Sequence, residues 1–581
     1  MAKLRGRAGG APKPKRKAPK ARSGKELQAA KRRPPGGKPG AEAEEEGGAS
    51  LRFDWILELD REGEALKYGH MVVVERFTVL RGGEEVIGIA AAFQANEAEG
   101  AEGNHRQHIR FSVSYDNGKT WTPSICVMYG LQASWSPVLH WDAWTDEEGE
   151  KRGVLFLFYS ESRKERSPGG DIKCIKAESW EQACGGVDGW KVEDSYWSPP
   201  VTILTHEAEI CRPSDESARH PIGFPKVLAN RVMRTRTGKA TFNLYKDLSG
   251  FPLRCTPTAE WVLPFWQEPH NSYLHYEAYH PLKELPPKEG LTPPHRTLAK
   301  GSALGPAASV LVSSDYGRSW EVRGAVRHPD TWLIENPVVE VWKSELEMNS
   351  SGKSGSLRVL KLWLMFFRTG AGEIWFSQSP PLTPATGGVS GYTWHGCTWC
   401  HPPEGSGAYG REWSEPRPVR WARSYPWHPG AREVPSGPPI PNPNSKICAV
   451  SMILYECLIP RTRDELPPEL RDNHWALKDG TVELLLLAFN DSAESRDRLC
   501  VAASANGGED WTKIMTVRAG PPKNFAYPDI LVLNRQEVAL SFSENSSGGS
   551  GGPASRGLRL ATFNVKDACA QAKMGLYFKK S

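Results

Sequence analysis

The stretch Ser112-Val-Ser-Tyr-Asp-Asn-Gly-Lys-Thr-Trp121, SVSYDNGKTW, sets Asp, Asn and Gly between a β-alternating run and a tryptophan. Its pattern Ser114-x-Asp116-x-Gly118-x-Thr120-Trp121 returns as Ser313-x-Asp315-x-Gly317-x-Ser319-Trp320, and more loosely as Ser504-x-Asn506-x-Gly508-x-Asp510-Trp511. Each copy follows a short β-like run and leads into another, which is the signature of a hairpin repeated along the chain. An Asp or Asn side chain closes such a turn on nearby backbone N–H groups, and Gly takes positive φ without a Cβ clash. The Trp can then fold back over the turn as an apolar plug. Tryptophans or paired aromatics at 121, 197, 266, 320, 413 and 511 suggest about six such units, so the fold class expected is all-β.

Composition bounds the rest. The 581 residues carry a mean hydropathy of −0.50 and no apolar run near the roughly 20 residues of a bilayer span. Residues 1–40 hold 14 basic residues against the single acid Glu26, so this tail carries +13 and the remainder −8 of the net +5. With its Pro and Gly content, such a segment buries too little surface to offset its ordering entropy. Residues 1–50 are therefore expected to be a disordered basic tail, 51–567 the folded domain and 568–581 a C-terminal tail. "KPKRK" and "KRR" read as a nuclear address, a contact for an anionic surface or nucleic acid, or a solubilising tail. The start lacks the apolar core of a secretory signal, which favours an intracellular setting, cytoplasmic or nuclear, with an organelle also open. Eleven scattered cysteines without disulfide spacing then read as reduced thiols.

Beyond the turns, the order of segments from about Leu66 to Asn564 resembles the sialidase superfamily. The turns look like its Asp-boxes, and the match is to the sialidase-like six-bladed propellers of bacteria and plants. The landmarks are "GHMVVVE", "SWSPVL", "GFPKVLANRVMR", "WVLPFW", "ENPVVEV", "LMFFRTGAGEIWFSQS", "PNPNSKI" and "FAYPDILVL". The resemblance implies a six-bladed β-propeller, closed by pairing terminal strands; "MVVVERF" at 71–77 and "LRLATFN" at 558–564 stand where that pairing is expected.

It also implies a site. Arginines hold a substrate carboxylate through their bidentate forks. A Tyr paired with a Glu serves as nucleophile, because a carboxylate nucleophile would be repelled by a sugar whose anomeric carbon bears an anionic group. Arg368 and Arg496 match two arginines, with Arg498 as the alternative to the second. Tyr527 matches the nucleophile and Glu335 its partner. The first arginine of the family's triad is replaced by His70. Where the acid/base Asp would stand, Asn104 or His105 falls, with Glu99 and Glu102 the nearest acids and Glu99 taken as the catalytic one. The function expected is an exo-glycosidase on a terminal sialic or uronic acid. The alternatives are a non-catalytic glycan- or protein-binding propeller and a lyase on uronic-acid polymers.

The partner is then a carbohydrate, a monomer is expected, and no metal or cofactor is called for. Cys397-x-x-Cys400-His401 has the spacing of c-type haem attachment, and His395 could join it in a metal cluster. It lies in a Gly/Pro-rich stretch that reads best as a plain surface insertion. The aromatic run 265–280, "FWQEPHNSYLHYEAYH", is a candidate rim loop for stacking on sugar.

Overall fold

The computed structural model describes residues 51–81, 84–98, 102–145, 151–163, 169–177, 197–207, 225–235, 260–268, 307–326, 328, 331–346, 357–379, 413–422, 437–454, 476–477, 481–520, 523–546, 554–572 and 574. The segments 381–412 and 269–280, with Cys397, Cys400 and most of the aromatic run, lie outside them. All the described residues belong to the unit Gly48–Ser581.

The three recurrent turns share one hydrogen-bond plan. In the first, Ser114 Oγ donates to Asp116 Oδ1 at 2.8 Å and accepts from Gly118 N at 2.7 Å. Asp116 also accepts from Thr120 N at 2.9 Å and Thr120 Oγ1 at 2.6 Å, and Trp121 Nε1 donates to Gly118 O at 3.1 Å. Ser313, Asp315, Ser319 and Trp320 repeat this bond for bond. In the third turn the amide of Asn506 does the work of the carboxylate, and Trp511 again bonds Gly508 O at 3.1 Å. The left-handed pair comes at the same two places, Asn117 and Gly118 (φ 59 and 82), Tyr316 and Gly317 (60 and 80), and Gly507 and Gly508 (67 and 87).

The strands form antiparallel sheets of propeller-like arrangement. One sheet joins Tyr68–Arg81, Glu84–Asn96, His108–Ser114 and Ile125–Met128 in sequence order. A second joins Val338–Leu346, Leu357–Thr369, Ile374–Gln378 and Arg417–Pro418, and a third Cys448–Leu454, Thr481–Asn490, Arg498–Ser504 and Thr512–Ala519. The expected six separate blades are not what the hydrogen bonding gives. The described strands make five sheets, four of four or five strands and one of nine that runs from Ser134–Thr145 to Glu321–Val326. The nine strands are continuous because Lys226, at the start of Lys226–Leu228, pairs with Gly170 at the start of Gly170–Ala177. That is the sole register pair between these two strands.

Closure also differs from expectation. Ala554–Asn564 pairs with Arg52–Glu58, which lies upstream of the 71–77 stretch and forms the edge of a sheet completed by Glu537–Ser546 and Lys523–Val532. Residues 71–77 are committed elsewhere, because Tyr68–Arg81 zips to Glu84–Asn96 through twelve register pairs. Helix Val565–Gln571 follows, capped by Asn564, and buries Val565, Ala568 and Cys569 against the closing sheet, so the core extends into the residues read as a C-terminal tail.

Apolar clusters glue each sheet to its neighbour in sequence. One packs Phe77, Ala92 and Phe111 against Leu139, Leu155 and Leu157. Another sits inside the nine-stranded sheet, where Phe158 and Ile172 meet Leu228, Trp261 and Leu311. A cavity of about 350 Å3 is lined by Glu75, His140, Arg231, Glu340, Ser451 and Ile530, among others, each from a different segment along the chain.

Arg231 ties these segments together at their centre. Its guanidinium donates to Ile530 O, to Val74 O at 2.9 Å and to Glu75 Oε2 at 3.1 Å, and lies 3.6 Å from Asp529 Oδ2. Asp529 is fully buried and also accepts from Val74 N at 3.1 Å. Removing one partner of a buried ionic group strands the others without compensation. Arg231→Met is therefore expected to cost about 3–5 kcal/mol in denaturant unfolding; a loss under about 1 kcal/mol would show that the junction is dispensable. The turns should respond to acid. Burial pushes the Asp116 carboxyl up, but the combined bonds from Thr120, Ser114 and the Lys119 backbone outweigh it and hold the group down to about 2. Its contribution is present above the unfolded value near pH 4 and is lost as pH falls through 2. Unfolding curves of Asp116→Asn should accordingly fall less steeply than wild type between about pH 4 and 2.

Candidate active site

The strands that open several sheets break register near their start, and each break holds one non-glycine residue in the left-handed region. The shifts between His70 and Val73, Trp135 and Val138, and Ala526 and Asp529 contain Met71 (φ 51), Ser136 (φ 51) and Tyr527 (φ 56). Glu335 (φ 50) lies between Leu333–Ile334 and Val338–Leu346, both of which pair with Leu357–Thr369. Asn444 (φ 58) precedes Cys448–Leu454. Such backbone costs about 1–3 kcal/mol per residue and concentrates where function needs it.

These breaks converge. Met71, Val227, Trp266, Trp332 and Ile334 form one buried apolar cluster, and Tyr527 packs against it. Arg368 ends its strand opposite Ile334, and its guanidinium lies 5.5 Å from the centre of the Trp332 ring. The turn after it needs Gly370, because a Cβ there would stand 2.6 Å from Trp332 Nε1. Arg368 Nη1 donates to Glu335 Oε1 and its Nε to Asn444 Oδ1, both at 2.6 Å. Arg496 Nη2 donates to Asn444 O at 2.8 Å and stacks over the Tyr527 ring at 5.8 Å. His70 meets that ring edge-on, with centroids 4.4 Å apart, and Tyr68 lies on its other side at 5.8 Å.

Five of the six residues proposed from sequence, Tyr527, Glu335, Arg368, Arg496 and His70, are thus brought together, while Glu99 lies outside the described residues. Glu335 hydrogen-bonds Arg368, and its influence on Tyr527 is electrostatic. Its other oxygen, Oε2, is buried with no hydrogen-bond partner among the described residues. Asn104 is spent on its loop, accepting from Asn96 Nδ2 and Arg106 N at 2.8 Å.

The electrostatics follow from burial. Tyr527 is pushed up to about 12 by burial and by Glu335, against the pull of Arg368 and Arg496. It is a neutral phenol at rest, and giving up its proton requires an acceptor. Burial, then Arg496 and Lys446, hold His70 down to about 3, so its ring is uncharged at neutral pH. The two arginines diverge: burial and Arg368 lower Arg496, whereas Glu335 and Tyr527 overcome burial and raise Arg368.

Sequence reasoning missed Asn444, which joins both arginines, although the Asn-Pro-Asn run in "PNPNSKI" marks a tight turn. It also missed Gln94, fully buried in the apolar strand Glu84–Asn96. Gln94 Oε1 accepts from Ser136 N at 3.2 Å, while its Nε2 donates to Tyr68 Oη at 2.9 Å and lies 3.5 Å from Glu102 Oε1. One polar residue in the run "IAAAFQA" was the available signal. No group of three or more His, Cys, Asp or Glu that could hold a metal occurs among the described residues, and no described helix is long and apolar enough to cross a membrane.

No protein-family model matches the chain. No curated protein matches it either. Solved structures do. The intramolecular trans-sialidase of Ruminococcus gnavus, in complex with oseltamivir carboxylate, is 10% identical with a TM-score of 0.42, over 88% of this chain and 97% of that one. A Trypanosoma rangeli sialidase is 9% identical with a TM-score of 0.39, over 86% of this chain and 55% of its own, so this chain spans about half its length. An alpha-L-arabinanase of Penicillium chrysogenum, complexed with arabinobiose, is 12% identical with a TM-score of 0.37, over 88% and 98%.

The neutral state of His70 is open to test. Its folded value lies below the roughly 6.5 of an unfolded histidine, so the unfolded chain takes up the extra proton and His70 subtracts stability as pH falls from about 6.5 towards 3. In histidine-labelled NMR spectra its ring signals should stay unprotonated from pH 8 to 4; a midpoint near 6.5 would contradict the described environment.

Proposed function

We propose that this protein is a glycoside hydrolase that releases a terminal sugar bearing a carboxylate, by way of a covalent intermediate on Tyr527. The observation that carries the reading is the placement of Tyr527 beside two arginines and within the field of Glu335, whose buried Oε2 has no hydrogen-bond partner among the described residues. Arg496 spends its Nη2 on the Asn444 backbone oxygen, which leaves much of its donor fork for a substrate carboxylate. Arg368, already paired with Glu335, supplies field rather than free charge.

A phenol held near 12 does not attack as the phenolate. Glu335 Oε2 is the base that takes its proton as the Tyr527 oxygen bonds to the anomeric carbon, and the neutral phenol is not repelled by an anionic group on that carbon. Water later attacks the same carbon, and Tyr527 recovers its proton from Glu335. Two inversions leave the configuration retained.

The propeller-like arrangement of the sheets accords with this reading of the site. Six apolar clusters join successive groups of strands, including one within the nine-stranded sheet, and six chain segments line the cavity. The turns with Asp116, Asp315 and Asn506 are then read as Asp-boxes.

The test is release of aryl alcohol from a panel of sialic, other ulosonic and uronic acid glycosides. Tyr527→Phe and Glu335→Gln should each lower kcat/KM at least about a thousandfold, and Arg496→Ala should raise KM for the acid but not for its methyl ester. An unaltered Tyr527→Phe enzyme would remove the nucleophile. An unsaturated, ultraviolet-absorbing product would mark a lyase, and no turnover of any substrate would mark a binding propeller.

A further inference from the structure

Glycosidic cleavage of an unactivated sugar also needs a proton for the departing oxygen, and neither the nucleophile pair nor the arginines can give one. His70 is excluded, since its ring is neutral at pH 7 and has no acidic imidazolium proton to give. Asn104 is an amide locked in its loop. Glu97 lies beside His108 at 4.0 Å, with its side chain 54% exposed.

We infer that Glu102 is the general acid and base of this site, held over the anomeric centre by Gln94 and Tyr68. The assignment rests on the glycosidase reading above and deepens it. Three observations carry it. Glu102 is exposed to solvent, so a substrate can reach it, yet it lies within the electrostatic reach of Tyr527, Arg368 and Arg496. Gln94, its 3.5 Å neighbour, is fully buried and fixed at its other end by Ser136 N, beside the left-handed break. Although part of its side chain reaches solvent, desolvation by the groups packed around the Glu102 carboxyl raises it above the usual range, against the opposing pull of Tyr68, Arg496, Gln94 and Arg368. That is the direction a proton donor needs near neutral pH.

In the first step the Glu102 proton passes to the glycosidic oxygen, which takes the electron pair of the breaking C–O bond and leaves as an alcohol. In the second, the Glu102 carboxylate takes a proton from the water that attacks the anomeric carbon, restoring the acid.

The experiment compares Glu102→Ala and Glu102→Gln with wild type on one sugar carrying either an alkyl or a 4-nitrophenyl leaving group. Loss of about 10²–10⁴-fold on the alkyl glycoside, with less than tenfold on the nitrophenyl one at the first chemical step, is expected. Azide should restore turnover of the nitrophenyl substrate by Glu102→Ala. The alkaline limb of the wild-type pH profile should vanish in Glu102→Gln, because the acid form is lost as pH rises through its pKa. Equal losses on both leaving groups, without azide rescue, would overturn the assignment. If those equal losses accompany an inactive Tyr527→Phe enzyme, the glycosidase reading stands and Glu102 alone is dismissed. Full activity of Tyr527→Phe, or no turnover by wild type, would remove both.

Discussion

A single left-handed residue near the start of a strand is the constraint on which this molecule's chemistry depends. A continuous β-ladder sends alternate side chains to opposite faces, each already committed to packing against a neighbouring sheet. A register break frees one residue from that alternation. Met71, Ser136 and Tyr527 occupy such breaks, while Glu335 lies between two strands and Asn444 just before one, each likewise with positive φ. Each adopts a conformation that L-residues avoid, and the surrounding ladders, such as the nine register pairs between Val338–Leu346 and Leu357–Thr369, hold it there. The strain therefore reads as positioning. Asn444 shows the benefit, since its side-chain and main-chain oxygens face two different arginines only because its backbone turns over.

Charge at the centre has two separate uses. The Arg231 guanidinium is spent inward, on Glu75, Asp529 and two carbonyls, and the result is a junction between distant segments. Around Tyr527 the pairing is incomplete among the described residues: one oxygen of Glu335 has no partner, His70 is neutral and Arg496 keeps donors in reserve. Buried polar groups left unsatisfied are costly, and they persist where a ligand completes them.

What could be read from sequence divides along the range of the interaction. The Ser-x-Asp-x-Gly-x-Thr-Trp turns were legible because all their bonds fall within eight residues, from Ser114 to Trp121. Closure was not: Arg52–Glu58 and 71–77 are both short β-like runs, and only the twelve pairs that commit Tyr68–Arg81 to its own hairpin separate them. The blade count suffered likewise from the single bridge between Lys226 and Gly170. In the site, Tyr527, Glu335 and Arg368 carried motif signals, whereas Glu102 gains its place from Gln94 and Tyr68, at 8 and 34 residues' remove. No local pattern separates Glu102 from Glu99 in "EAEGAEGNH".

The central claim is that Tyr527 becomes covalently joined to the sugar. Incubation with a fluorinated, mechanism-based ulosonic or uronic acid fluoride that stalls the second step, followed by proteolysis and mass spectrometry, reads this directly. The account requires a stoichiometric glycosyl increment on the peptide containing Tyr527. An increment on any other residue, or none from an enzyme that turns over the parent glycoside, would contradict it.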